Sequence, residues 1–204
     1  MVITDITKQK RKDRYNIFID GTFYSGIGAL ELVKAGLKVG TEVDKATLEK
    51  VVLESEKRAA FDKALGLLSR QVYSKHDIKN KLVGYGFNFD CIESVLKKLE
   101  EYGYINDKEY AKMLVNSKKT KSKLEIKQIL FQKGISSHIA EKEVQSIDIN
   151  EEKRRAKVLA EKYMKNKEVD QKTMSGLYAY LSRKGFSGDS IMACLKFYKY
   201  EVEE

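Results

Sequence analysis

One phrase is written three times in this chain: Leu82-Val-Gly-Tyr-Gly86-Phe87-Asn88, Leu130-Phe-Gln-Lys-Gly134-Ile135-Ser136 and Leu181-Ser-Arg-Lys-Gly185-Phe186-Ser187. Each copy has Leu four residues before Gly, a large apolar residue after it, then Asn or Ser. This is a recipe for joining two helices. Gly suits the left-handed residue just past a helix end, where a Cβ would be strained. The Leu then lies in the last helical turn and meets the apolar residue beyond the Gly. Asn88, Ser136 and Ser187 are N-caps for the next helix. The apolar residue before each cap should pack four residues into that helix, pairing Phe87 with Ile92, Ile135 with Ala140, and Phe186 with Ile191. Gly86, Gly134 and Gly185 are therefore read as structural elbows.

The glycines set a register. Aligned on them without gaps, Ile78, Ile126 and Leu177 share one position, Leu96, Val144 and Leu195 a second, and Leu99, Ile147 and Tyr198 a third. These are helical offsets on buried faces. Ser74 with Asp77 and Ser122 with Glu125 open capping boxes for the helix before each elbow. The third copy has Thr173 and Gly176 there, so its helix is expected to start earlier, at Asp170. One further helix precedes each pair: an apolar stripe through Ala60, Phe61, Ala64, Leu65 and Leu68, a helix capped by Asn106, and a stripe through Ala156, Leu159, Ala160 and Tyr163. The fold class read from this is mainly α, with three tandem three-helix repeats over residues 57–105, 106–149 and 150–204. Stacked neighbours would bury more than one thin unit can, giving an elongated or curved array.

Residues 1–56 read differently, as a small N-terminal β-hairpin module with short helices. Val2–Ile6 is a short strand. Tyr15, Ile17 and Ile19 alternate with Asn16 and Phe18, Asp20-Gly21 is a hairpin turn, and Thr22–Ser25 returns. Lys8-Gln-Lys-Arg-Lys12 and Arg14 form a basic turn before the middle strand. A short helix over Ala29–Ala35 ends at Gly36, and Asp44 caps a helix carrying Leu48, Val51 and Val52. The polar stretch Glu54-Ser-Glu-Lys-Arg58 reads as a soft boundary.

Chemistry is sparse by contrast. His76 and His138 have no Cys or His partner at ligand spacing and no H-E-x-x-H pattern, so no metal site is expected. Gly26-Ile-Gly28 lacks a P-loop Lys and reads as turn geometry. No nucleophile–base spacing stands out, so neither enzyme nor cofactor is expected. Cys91 and Cys194 are read as reduced thiols. With no secretory h-region and no apolar run of membrane-spanning length, a cytoplasmic location away from membranes is expected. The 204 residues carry a net charge of +9, which favours a polyanionic partner, nucleic acid before membrane. The excess lies in the repeats. Lys118-Lys119-Thr-Lys121-Ser-Lys123 with Lys127 crowds a helix start, where backbone N–H groups also favour anions. Arg70 and Lys75 hold the equivalent junction of the first copy; Arg154, Arg155, Arg183 and Lys184 add to the third. Tyr73, Tyr102, Tyr104 and Tyr110 read as core and rim aromatics rather than base-stacking platforms.

The residues then suggest a family. Ala64-Leu-Gly-Leu-Leu-Ser69-Arg70-Gln-Val-Tyr-Ser74-Lys-His-Asp77-Ile78, Lys81-Leu82, Gly86-Phe87 and Leu99-Glu-Glu-Tyr-Gly103-Tyr-Ile-Asn106-Asp107-Lys-Glu-Tyr-Ala111 resemble RecX, the bacterial regulator of the RecA recombinase. Arg14-Tyr-Asn-Ile-Phe-Ile-Asp20-Gly21-Thr-Phe23, then Leu32-Val-Lys-Ala-Gly36-Leu37, is similar to the N-terminal extension of the longer Firmicute-type members. The resemblance covers nearly the whole chain and is weakest in the third repeat. Arg70-Gln71 stands where the family often has paired Arg, and Asp77 where it often has Glu. The resemblance implies a monomeric, non-enzymatic modulator in recombination, DNA repair and the SOS response. Such a protein would lie in the groove of the RecA–single-stranded-DNA filament, bridge protomers, and inhibit filament growth, ATP hydrolysis and strand exchange. It would touch RecA, single-stranded DNA within the filament, and free DNA. The alternative reading is a basic helical-repeat protein that binds DNA or RNA directly, independent of RecA.

Overall fold

The structure, a computed structural model, describes residues 1–10 and 13–200. Arg11 and Lys12 of the basic turn lie outside the described residues. The chain divides into two compact units, Met1–Ile105 and Asn106–Glu204.

The first unit opens with an antiparallel sheet in the order β1 (Ile3–Lys8), β2 (Arg14–Ile19), β3 (Thr22–Gly28). The β2–β3 turn works because Asp20 and Gly21 both adopt positive φ, 47° and 80°, which matches the twist of the flanking strands. β3 runs three residues beyond the expected Ser25, since Arg14 pairs with Gly28 and Tyr15 with Ile27. One face of the sheet buries Ile3, Ile17, Ile19 and Ile27. On β2 and β3, Phe18 and Phe23 meet edge to face at 5.9 Å.

Helix α1 (Ala29–Lys34) ends at the left-handed Gly36, φ 64°. Helix α2 (Lys45–Leu68) starts where the Asp44 side chain accepts from Thr47 N at 2.9 Å. At 24 residues it is about 36 Å long and serves two cores. Its first half covers the sheet through Leu48, Val51 and Val52. Its second half supplies Ala60, Phe61, Ala64, Leu65 and Leu68 to the first helical repeat. The stretch Glu54–Arg58, read as a soft boundary, is therefore mid-helix. Its polarity has local causes: Glu54 pairs with Lys57 one turn on, and buried Ser55 accepts from the Gly28 N–H of β3 at 2.8 Å.

Two more helices complete the first repeat, α3 (Lys75–Gly84) and α4 (Phe89–Glu101). The second unit holds two further repeats: α5 (Asp107–Ser117), α6 (Lys123–Gln132) and α7 (Ser137–Gln145), then α8 (Ile149–Met164), α9 (Gln171–Arg183) and α10 (Gly188–Tyr200). Each repeat has its own apolar cluster.

The elbows have the expected geometry. Gly86, Gly134 and Gly185 sit at φ 84°, 71° and 75°. The N–H of the apolar residue after each Gly returns to the Leu carbonyl five residues back: Phe87 to Leu82 (3.3 Å), Ile135 to Leu130 (3.0 Å), Phe186 to Leu181 (3.2 Å). This is the Schellman closure, which takes up a carbonyl that the helix itself leaves open. All three leucines are fully buried. Asn88 and Ser136 cap the following helices through Cys91 N and Ile139 N, and Ser187 accepts from Ser190 N at 3.4 Å. The third copy does start at Asp170, whose carboxylate accepts from Thr173 N at 2.6 Å.

The elbows differ in their surroundings. A Cβ at Gly86 would meet nothing within 4 Å, whereas one at Gly185 would lie 2.9 Å from Leu124 Cβ. Gly86→Ala should therefore cost about 1 kcal/mol of left-handed strain, and Gly185→Ala about 3 kcal/mol, because strain and overpacking add. Urea unfolding of the two variants checks this; equal losses would show that the Leu124 contact yields freely.

Candidate nucleic-acid interface

The basic stretch 118–123 is the connection between α5 and α6. Helix α5 ends with carbonyls that have no partner in their own helix. The guanidinium of Arg155, on α8 of the next repeat, takes them up. Its Nη2 donates to Val115 O at 3.3 Å, and its Nη1 to Lys118 O and Lys121 O, each at 3.4 Å. Its Nε donates to Glu151 Oε1 at 2.9 Å. Arg155 is only 4% exposed. A cation at a helix C-terminus is favoured by the aligned peptide dipoles as well as by the hydrogen bonds. The bond from Arg155, reinforced by Arg154, holds the Glu151 carboxyl below the usual carboxylate range.

A second cross-link joins the same two repeats at the start of α6. Ser122 caps α6 by accepting from Glu125 N at 3.1 Å, and its hydroxyl donates to Lys184 O at 2.6 Å. That carbonyl belongs to the last turn of the α9–α10 elbow, so one buried side chain closes one helix and opens another. Gly185 packs directly over Leu124. The carboxylate of Glu125, expected to return to the cap as in a capping box, turns to Lys121 (3.1 Å) and Lys184 (3.9 Å) instead. Glu152 likewise binds the Ser187 hydroxyl at 3.0 Å.

These contacts bring together cations that are far apart in sequence. Ser122 of the loop meets the third elbow at Lys184 O, and the side chains of Lys121 and Lys184 converge on the Glu125 carboxylate. Lys119 and Arg154 line one cleft of about 390 Å³, with Val115 and Ile147 in its wall and Asp148 and Glu151 beside them. Among the described residues Lys118, Lys119, Lys123 and Arg183 make no ion pair, and Lys118, Lys119 and Arg183 are exposed. Arg154 is exposed but paired with Glu151, 2.9 Å. Lys127 points away along α6, paired with Glu141 at 2.9 Å. Arg155 is a correction: as a contact for an external anion it is spent, being buried and fully engaged inside the protein. Helical spacing does not show this: Arg155 is three residues from buried Glu152, but the stripe Ala156, Ala160 and Met164 lies round another side of α8. In the first unit, Arg70 is exposed in the turn after α2, and Lys75 pairs with Glu100 at 2.8 Å.

Other candidates are placed as follows. His76 is exposed with its Nε2 2.9 Å from Asn80 Nδ2, and His138 is exposed. Among the described residues no group of three or more His, Cys, Asp and Glu is placed to hold a metal. Cys91 and Cys194 are buried free thiols, each pushed up to about 11 by burial. Tyr110 is buried and Tyr73 half-buried, but Tyr102 and Tyr104 stand out further than rim residues, 62% and 52% exposed. No described helix is long and apolar enough to cross a membrane.

Comparison with known proteins places this arrangement. Residues 1–44 match the regulatory protein RecX N-terminal domain, 60–99 the first three-helix domain of RecX and 106–142 the second. The regulatory protein RecX of Clostridium botulinum (strain Eklund 17B / Type B) is 31% identical over 200 residues, covering 95% of this chain and 94% of the relative. This chain belongs to the RecX regulatory protein family. The RecX of Bacillus subtilis (strain 168) is also 31% identical, over 99% of this chain and 79% of its own. A crystal structure of regulatory protein RecX superposes with a TM-score of 0.73 at 28% identity, over 95% of this chain and 98% of that one. RecX from Lactobacillus salivarius gives 0.63 at 27% identity, over 69% and 95%. The three-helix domains are thus those of the RecX family, and the basic loop, between α5 and α6 of the second repeat, is fastened to the third repeat by Arg155 and Ser122.

Arg155→Met should remove about 3 kcal/mol from the second unit, since it strips the partly buried ion pair with Glu151 and leaves Val115 O and Lys121 O without the donor that Arg155 supplies. Faster amide exchange at 118–121 would accompany the loss. The Glu151 contribution has a defined pH window. Because its folded-state pKa is depressed, the stabilisation is complete above the ordinary carboxylate value and disappears as pH falls through the folded one. Glu151→Gln should flatten that acid limb in urea melts at successive pH values; an unchanged limb would assign it to other carboxylates.

Proposed function

We propose that this protein is a non-enzymatic regulator that binds RecA and its single-stranded-DNA filament, and that it inhibits ATP hydrolysis and strand exchange in recombination and DNA repair. The observation that carries the reading is a set of cations outside any ion pair among the described residues, in a chain of the RecX family: exposed Lys118 and Lys119 and half-buried Lys123 at the cross-linked loop, and exposed Arg183 at the end of α9. A filament repeats its surface, so a protein built of tandem repeats engages several protomers and gains avidity from each added contact. Cations without internal partners are the ones able to release counterions from phosphates on binding.

The decisive assay adds the purified protein to RecA on single-stranded DNA and follows ATP hydrolysis and strand exchange. Loss of both activities at stoichiometric ratios is expected. No change, together with no filament binding, would reject the proposal. Salt-dependent binding to bare DNA that RecA leaves unaltered would replace it with direct nucleic-acid binding.

The basic loop has its own test. Reversing Lys119, Lys123 and Arg183 to Glu removes three phosphate-seeking charges from exposed or half-exposed positions. It should lower the slope of log affinity against log salt for single-stranded DNA by about 2. Circular dichroism should stay unchanged. An unaltered slope would make these residues a solvated face and nothing more.

A further inference from the structure

The polar stretch of α2 that marks no boundary has another use. Lys50, Glu54, Lys57 or Arg58, and Phe61 recur at helical spacing, so they form one stripe. That stripe is one wall of a cleft of about 580 Å³ in the first unit. The last turn of α1 forms the opposite lip with Glu31, Lys34 and Ala35, and α4 closes it with Ser94, Val95 and Lys98. Val51, Phe61 and Val95 give it an apolar floor. Tyr102 stands at its end, edge to face with Phe61 at 6.1 Å and with Tyr104 at 6.4 Å.

The charges around this floor are unequal. The three carboxylates are occupied: Glu54 by Lys57 at 2.9 Å, and Glu31 and Asp62 by Arg58 at 3.9 and 4.0 Å. Lys34, Lys50 and Lys98 are exposed and form no ion pair among the described residues. A nucleic-acid strand would have to lay its phosphates against Glu31, Glu54 and Asp62. A strand carries a phosphate at every nucleotide, whereas a protein segment can set its carboxylates at the lysines and apolar side chains beside the occupied acids. Its carboxylates meet the three lysines, and its apolar side chains meet Phe61 and the exposed ring of Tyr102, the aromatic kind of anchor that dominates protein interfaces. The volume suits a few side chains.

We infer that this cleft is a docking site for an acidic, apolar-flanked segment of a protein partner, distinct in chemistry from the basic loop at 118–123. Given the function proposed above, on which this inference rests, that partner is RecA, and the two surfaces divide the filament between them: protein at the first-unit cleft, phosphate at the second-unit loop.

The test measures binding of the full-length chain to RecA without DNA, and separately to an oligo-dT strand. Lys50→Glu with Lys98→Glu should weaken RecA binding about tenfold and leave oligo-dT binding unchanged. Tyr102→Ser, a substitution at an exposed position, should weaken RecA binding in the same selective way and guards against misfolding in the double variant. A photo-crosslinking residue placed at Tyr102 should label an acidic stretch of RecA in the filament. Labelling of DNA instead, or full RecA affinity in both variants, overturns the inference while leaving the RecA reading intact. A wild-type chain that does not bind RecA removes both.

Discussion

Every helix ends with carbonyls that its own hydrogen-bond ladder cannot reach, and the way this chain pairs them determines its architecture. Within a repeat the solution is local. A left-handed glycine lets the chain reverse, and the N–H of the next apolar residue returns to a buried leucine carbonyl, as in Phe87 to Leu82. Between the second and third repeats the solution is long-range. Arg155 reaches back to the end of α5, and Ser122 reaches across to the end of α9. The same requirement therefore builds the three-helix unit and then fastens one unit to its neighbour. It also explains why the two kinds of junction use different residues. A glycine elbow needs only backbone groups, whereas gathering the carbonyls of Val115, Lys118 and Lys121 needs a planar donor with several N–H groups, which Arg provides and Lys does not.

This difference sets what could be read from sequence. The elbows, their caps and the buried registers at Ile78, Ile126 and Leu177 were legible because each depends on residues within a few positions of one another. The early start of the third pair at Asp170 was legible for the same reason. Partners 37 and 62 residues apart, Arg155 with Lys118 and Ser122 with Lys184, leave no local signature. Arg154-Arg155 looked like one basic pair, yet one member faces water and the other is buried. Composition misled at Glu54–Arg58 too. A polar run can mark a break, but here it marks the stretch of α2 between two cores, where one face meets the sheet's end at Ser55 and the other lines a cleft. For the candidate interface, the cluster 118–123 was visible as charge, whereas its company of Arg183 and Lys184 required the folded junction.

The division of labour among the cations follows from the same chemistry. Arg155 does the structural work at the junction, so the lysines of the loop are not needed to hold it together. Lys118 and Lys121 contribute their backbone carbonyls to the lock while their side chains remain outside. A loop tied at three carbonyls and at Ser122 loses less freedom when a polyanion binds than an untethered one, so more of the electrostatic gain survives as affinity. Glu125 and Glu151 temper the field beside the loop by pairing Lys121, Lys184 and Arg154, which leaves the unpaired charge concentrated on Lys118, Lys119, Lys123 and Arg183. Packing and charge are thus separable at this junction. Arg155 and Ser122 decide whether the loop has a shape, and the outward-facing lysines decide what that shape attracts.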